Sequence, residues 1–122
     1  MKYVYPESEA NAFEKFGMSL KVYGDITKDI NFVRASTKIG HLEEFKNSSW
    51  FIYYIIEGTG MFVLNDEKLP VKSGDLVVIP PNTRIYYFGK LEYTLIVNPP
   101  WREENETHIR NIEPSESPFN NS

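Results

Sequence analysis

The sequence contains two histidines and no cysteine, so few residue types are available for chemistry near neutral pH. Histidine is the natural general base there, because its unperturbed pKa is about 6.5. His41 precedes Glu43 and Glu44, and a histidine and glutamate at this spacing could begin a metal site. A third and fourth ligand would have to come from Glu57 or the C-terminal tail, so we expect no metal. We expect His108 to be a solvated side chain of that charged tail.

Composition excludes several classes of function. The net charge of -4 and the pI near 5.2 argue against a nucleic-acid surface, which needs clustered lysine and arginine. Without cysteine, disulfides and thiolate chemistry are excluded. No apolar run approaches the length of a membrane span, and no signal-peptide core follows Met1, so we expect a cytoplasmic protein that contacts no membrane.

Short runs rich in Val, Ile, Tyr and Phe alternate with turn residues, and this pattern predicts an antiparallel sandwich or barrel. The turns contain Gly58, Gly60 and the pair Asn65-Asp66, of which the glycines are expected to break the strand that begins at Trp50. The polar stretch 37–49 is interpreted as a rim loop that could contain a short strand. The predicted strands cover residues 18–24, 30–36, 50–56, 61–64, 69–71, 76–79, 84–88 and 91–98.

A chain of 122 residues is expected to form one domain, residues 1–122. Its core is placed at about residues 30–100. Residues 1–16 are expected to form an N-terminal arm with one or two helical turns, and residues 102–122 a polar tail.

The order of EGTG at residues 57–60, SGDLVVIPPNT at 73–83 and then a strand of aromatics resembles the conserved core of the cupin superfamily, in its small single-domain conserved-barrel type. Gly58 matches the closing glycine of the first cupin motif. Gly74 and Pro80 match the second motif, and Asn82 stands where its inner glycine belongs. The resemblance covers about residues 33–100. It implies an all-β fold, a double-stranded β-helix or jelly-roll barrel, with short irregular N-terminal and C-terminal segments.

The positions that hold metal in cupins carry other side chains here. The second-motif histidine falls on Ile85, the first-motif glutamate on Phe51 or Ile52, and the two histidines within residues 46–48. Apolar side chains cannot ligate a metal. The resemblance therefore implies a cupin that lacks the metal-binding histidines, with no metal and no cofactor.

The same correspondence orients the strands, because it places Phe51 and Ile85 in the barrel lumen with Tyr53, Ile55 and Tyr87. A lumen of aromatic rings and a few hydroxyls suits a small, partly apolar or sugar-like ligand. A filled barrel without a cavity is the alternative. The candidate ligand-binding residues are Arg34 (if it faces inward), Phe51, Tyr53, Ile85, Tyr87 and Tyr93.

Three functions remain open. The first is a metal-free cupin that binds or senses an unidentified small molecule. The second is a metal-independent sugar or sugar-nucleotide isomerase or epimerase, by resemblance to cupins that use a histidine base and a tyrosine acid; His41 with Tyr53, Tyr87 or Tyr93 would form that pair. The third is an interaction module with a closed barrel. Whether the protein is an enzyme is left open.

The strand from Trp50 to Ile56 is apolar on both faces, so its outer face must also be covered. We expect a homodimer through this face, since cupins commonly dimerise through such sheets. The alternative covers are Phe13 with Phe16, or Trp101 folding back. The outward side chains are Trp50, Ile52, Tyr54 and Ile56.

Overall fold

The structure, a computed structural model, describes residues 2–119 and is almost entirely β. The all-β prediction is confirmed, and the described residues contain no helix long and apolar enough to cross a membrane. Short 3₁₀ turns occur at Glu7–Glu9, Glu103–Asn105 and Pro114–Glu116. The strands are β1 (Asn11–Lys15), β2 (Met18–Tyr23), β3 (Asn31–Thr37), β4 (Gly40–Asn47), β5 (Trp50–Leu64), β6 (Glu67–Lys72), β7 (Leu76–Ile79), β8 (Ile85–Asn98) and β9 (Glu106–Asn111).

Two long antiparallel strands, β5 and β8, form the spine of the barrel and pair along almost their whole length. The C-terminal half of β8 also pairs with β3, and its N-terminal half pairs with β4. On its other edge β5 pairs with β7 through its first half and with β6 through its second. The remaining order is β1-β2-β3 on one side and β4-β9 on the other, which curls the sheet around a common core.

The predicted strand breaks at Gly58 and Gly89 are wrong, because both long strands continue through these glycines. Gly58 has φ +104° and Gly89 has φ +126°, values that side chains rarely allow. A Cβ on Gly58 would lie 2.0 Å from the backbone oxygen of Lys90. The glycines therefore let the two strands cross closely and bend without leaving the ladder. The predicted turn at Asn65-Asp66 is confirmed, with φ of +50° and +71°.

The rim loop predicted for residues 37–49 is wrong, because most of it forms β4. This strand was hard to recognise because it carries charged residues at two adjacent buried positions, Glu43 and Glu44. The register shifts there against both neighbouring strands, which is the pattern of a β-bulge. The bulge places His41 and Phe45 on the inner face with the core.

Both terminal segments contain a strand, so the prediction that they are irregular is only partly right. The N-terminal arm has one 3₁₀ turn and then β1, which forms a hairpin with β2. In the polar tail, β9 pairs with β4 at the edge of the sheet. Both segments thereby reach the open side of the barrel.

One face of the β5–β7 pair is exposed and apolar. Leu76 and Val78 are 61% and 49% exposed, because alternate residues of β7 face outward. They pair across from Tyr54 and Ile52, respectively. The side chains expected as alternative covers lie elsewhere: Phe13 and Trp101 line the barrel cavity, and the Phe16 ring contacts His41.

Candidate functional site

The barrel encloses a cavity of about 570 Å³ that opens to solvent, so the alternative of a filled barrel is wrong. This volume lies within the range of small-molecule sites. Its polar lining includes side chains from five different strands: Lys15 of β1, His41 of β4, Tyr53 of β5, Tyr93 of β8 and Glu106 of β9. The rest of the lining near these groups is largely apolar and includes Phe51, Phe45, Val33, Leu95 and Val97.

His41 is the central polar group of the inner wall, and it is 4% exposed. Its ring stacks on Tyr87 with 5.6 Å between centroids and meets Phe45 edge-on at 4.8 Å. Its Nδ1 atom is buried without a hydrogen-bond partner. Burial lowers the pKa of His41 to about 3, while the backbone of Glu43 acts to raise that pKa and Lys15 to lower it. The imidazole is therefore neutral at pH 7.

Three tyrosine hydroxyls gather next to this imidazole. Tyr53 lies 5.7 Å from Tyr87 and 5.2 Å from Tyr93, measured between ring centroids. The hydroxyls of Tyr87 and Tyr93 are hydrogen-bonded to each other, and they lie 3.2 Å and 3.3 Å from Met18 Sδ. Because each hydroxyl has one proton, one of them donates to the other and only the second can donate to the sulfur. The inner wall thus combines a neutral base with a cluster of hydroxyl groups.

Burial keeps these hydroxyls protonated. It raises the pKa values of Tyr53, Tyr87 and Tyr93 well above their usual range. A buried phenol that stays protonated is a strong hydrogen-bond donor to negative charge that develops on a bound molecule. The wall can therefore accept a proton at His41 and stabilise an oxyanion at the tyrosines.

A second set of polar side chains, Lys15 and Glu106, lies at the mouth of the cavity. Glu106 accepts hydrogen bonds from Trp101 Nε1 at 2.9 Å and Asn47 Nδ2 at 3.3 Å. Lys15 Nζ lies 3.9 Å from Glu106 Oε2 and 5.1 Å from the Trp101 ring centroid. Sequence reasoning missed Lys15 and Glu106, because each stands in a terminal segment with no motif around it.

The predicted ligand-binding residues are distributed unevenly. Phe51, Tyr53 and Tyr93 line the cavity, whereas Ile85 and Tyr87 are buried in the core beside it. The expectation that Arg34 faces inward is wrong. Arg34 is exposed and ion-paired with Glu92, because Val33 and Ala35 occupy the inner face of β3.

His108 is not simply the solvated tail residue that was expected. Its side chain is half exposed, and its Nδ1 lies 2.7 Å from Glu43 Oε2. Within residues 2–119, no group of three or more His, Asp or Glu side chains could hold a metal ion.

Comparison with solved structures gives a full-length match. The chain is 44% identical to Pac13, described as a unique nucleoside dehydratase, with a TM-score of 0.93 over 98% of this chain and 100% of that one. Structures of Streptomyces PAC13 with uridine match at 43% identity and a TM-score of 0.93. They include one histidine-to-glutamine variant and two tyrosine-to-phenylalanine variants, and cover 98% of this chain and 99–100% of theirs.

More distant matches support the fold. KdgF from Halomonas is 18% identical with a TM-score of 0.70, covering 85% of this chain and 98% of that one. Oxalate decarboxylase from Bacillus subtilis is 17% identical with a TM-score of 0.75, covering 86% of this chain and 31% of that one.

Sequence comparisons match parts of the chain. Residues 44–88 match the AraC-like ligand binding domain. An uncharacterised protein, MJ1618 of Methanocaldococcus jannaschii, is 40% identical over 58 residues, or 44% of this chain and 46% of that protein, so the match spans about half of its length. With its curled β-barrel, its enclosed cavity and its full-length relative, the chain is a cupin-type ligand-binding domain and belongs to the cupin superfamily.

Proposed function

We propose that this protein is an enzyme that binds a nucleoside in the barrel and removes water from its sugar. The observation that carries the proposal is the buried His41, whose Nδ1 has no hydrogen-bond partner, in the wall of a cavity that Tyr53 and Tyr93 also line. Full-length similarity to Pac13 supports the reaction class and the nucleoside. The proposal favours catalysis over binding or sensing alone, and it keeps the histidine and tyrosine pair of the isomerase hypothesis with elimination in place of isomerisation.

The proposed reaction is a β-elimination. His41 Nδ1 takes a proton from a sugar carbon, the electron pair forms a C=C bond, and the C–O bond to the neighbouring hydroxyl breaks. The leaving hydroxide takes this proton back from the His41 imidazolium and departs as water, which returns His41 to its neutral form. An ordinary sugar C–H is a weak acid, so we propose a nucleoside with a carbonyl beside that carbon. Tyr53 and Tyr93 then donate hydrogen bonds to the enolate oxygen.

We propose that Lys15 and Glu106, at the mouth of the cavity, contact the polar edge of the ligand. A carboxylate and an ammonium group can together hold sugar hydroxyls by accepting and donating hydrogen bonds. Because Trp101 hydrogen-bonds Glu106 and lies beside Lys15, its ring is available to pack against a base or sugar face.

Binding and turnover test the proposal separately. Titration of the protein with uridine should give saturable binding by calorimetry, and Phe51→Asp should weaken it. Uridine oxidised to a carbonyl compound in its ribose should lose the mass of one water when incubated with the protein. His41→Gln should lower turnover by about 100-fold or more, the usual contribution of a general base.

Arg34→Gln is the matched control, because Arg34 lies outside the cavity. It should leave uridine binding and turnover unchanged. No saturable binding of uridine by the folded protein, or full turnover by His41→Gln, would overturn the proposal.

We also propose that the exposed apolar face formed by Trp50, Ile52, Tyr54, Leu76 and Val78 makes a homodimer. A face of this kind is unusual on a monomer. Light scattering after gel filtration should give twice the chain mass, and Leu76→Glu should shift it to the monomer. Val4→Glu, at an exposed apolar residue in the N-terminal segment, should leave the dimer intact. A wild-type monomer would contradict the proposal.

A further inference from the structure

Glu43 lies between the two histidines of the sequence. Its Oε1 is 3.8 Å from His41 Nε2, and its Oε2 is 2.7 Å from His108 Nδ1. The Glu43 carboxylate is itself buried, whereas His108 reaches solvent. A chain of three titratable side chains therefore runs from the cavity wall to the protein surface.

This chain is built by the β4 bulge and the β9 strand. The bulge keeps Glu43 on the inner face, two residues after His41, and β9 then lies beside β4 so that His108 pairs across from Phe45. The position of His108 on an added edge strand explains how a residue so far along the chain can contact Glu43.

The nearby arginines form ion pairs with Glu44, whereas Glu43 contacts the histidines. Arg84 Nη1 lies 3.3 Å from Glu44 Oε2, and Arg110 Nε lies 3.2 Å from Glu44 Oε1. Around His41, the ionisable groups from other strands are Lys15 of β1 and Tyr87 of β8. Lys15 has no acceptor to offer His41 Nε2, and Tyr87 stacks on the His41 ring, whereas the Glu43 carboxylate lies 3.8 Å from Nε2 and can accept its hydrogen bond. Burial lowers the pKa of His41, and a hydrogen bond with the backbone of Glu43 acts to raise it.

We propose that Glu43 is the positioning residue of the base: it holds the His41 proton on Nε2, so that the Nδ1 lone pair faces the cavity, and His108 holds Glu43 in place. The effect of Glu43 on turnover rests on the proposed function, whereas its effect on the His41 tautomer does not. A separation of 3.8 Å exceeds a normal hydrogen bond, and such contacts often tighten when substrate binds. When Nδ1 takes a substrate proton, the adjacent carboxylate stabilises the imidazolium.

Nitrogen NMR of histidine tests the tautomer without any substrate. The His108→Gln variant contains a single histidine, so its spectrum reports His41 alone. We expect a pyrrole-type signal from Nε2 and a pyridine-type signal from Nδ1 at pH 7. Adding Glu43→Gln should move the two signals towards each other, because the tautomers mix once the carboxylate charge is lost. A proton on Nδ1, or a spectrum insensitive to Glu43→Gln in the folded protein, would overturn the inference.

Turnover of the oxidised uridine adds a kinetic readout. Glu43→Gln should lower kcat about 10-fold to 100-fold, as loss of a residue that orients a histidine commonly does, with little change in KM. His108→Ala should lower kcat several-fold, and His108→Gln, which can still donate to Glu43, should restore most of it. Arg110→Gln is the matched control, since it removes a β9–β4 ion pair that does not touch Glu43.

The two readouts separate the two proposals. The expected tautomer without turnover of any oxidised nucleoside would contradict the proposed function while supporting the role of Glu43. Turnover with an unchanged rate in Glu43→Gln would refute the positioning role and leave the dehydratase proposal intact.

Discussion

Folding stability should fall between pH 8 and pH 5 because His41 is buried in its neutral form. Burial lowers the pKa of His41 from 6.5 to about 3. Below pH 6.5 the unfolded chain binds a proton at this histidine, and the folded chain cannot. The stability associated with the neutral ring is therefore present above pH 6.5 and is lost progressively as the pH falls towards 3.

The size of the effect follows from the two pKa values. At pH 5 the unfolded histidine is about 1.5 pH units below its pKa, and the folded histidine is still neutral. Each unit corresponds to about 1.4 kcal/mol, so His41 should lower the free energy of unfolding by about 2 kcal/mol relative to pH 8. The pKa values of Glu7, Asp66 and Glu116 are lowered, so their stabilising contributions fade at more acidic pH.

Urea unfolding followed by tryptophan fluorescence, at one protein concentration and at pH 5 and pH 8, measures this loss. His41→Gln removes the titrating ring. Between pH 8 and pH 5 the free energy of unfolding of this variant should therefore change by about 2 kcal/mol less than that of the wild type. His108→Gln keeps His41 and should retain the wild-type pH dependence. An equal pH dependence in wild type and His41→Gln would refute the assignment of His41 as a buried neutral base.

Two further substitutions test the packing of the barrel. Ile85→Asp should cost several kcal/mol by thermal or urea unfolding, because it buries a carboxylate in an apolar core; an unchanged melting temperature would contradict the position of Ile85. Gly58→Ala should cost about 2 kcal/mol or more, since φ is +104° and the new methyl group would meet the Lys90 backbone oxygen. Gly74→Ala, also at positive φ but facing open space, should cost about 1 kcal/mol. Equal losses of stability in Gly58→Ala and Gly74→Ala would exclude a steric clash with the Lys90 oxygen.

The strands could be predicted where turn chemistry separates them, and they were missed where it does not. Asn65-Asp66 and Asn82 adopt the positive φ that their residue types favour. Gly58 and Gly89 have the same local character, yet they bend continuous strands, because the partner strand decides whether a glycine ends the ladder. β4 was hard to predict because it contains two buried charged residues, Glu43 and Glu44. Their partners His108 and Arg84 lie far away in the sequence.

The inner wall of the site was more predictable than its mouth. Tyr53 and Tyr93 alternate with outward residues along apolar strands, so fixing one lumen position fixes the others. Alternation alone does not say which face is inner, which is why Arg34 was considered for the lumen. Lys15 and Glu106 meet only after β1 and β9 have packed against the barrel, and no local pattern encodes that meeting.

The apolar lining explains how one cavity can hold an acid and a base that are both uncharged at rest. Burial lowers the pKa of His41 and raises that of Tyr53, because it penalises the charged form of each. At pH 7 the histidine therefore keeps its lone pair and the tyrosine keeps its proton. The buried apolar side chains of Phe51 and Ile85 maintain that low-dielectric setting. In the proposed reaction, charge develops only as the substrate reacts, beside the tyrosine hydroxyls and near Glu43.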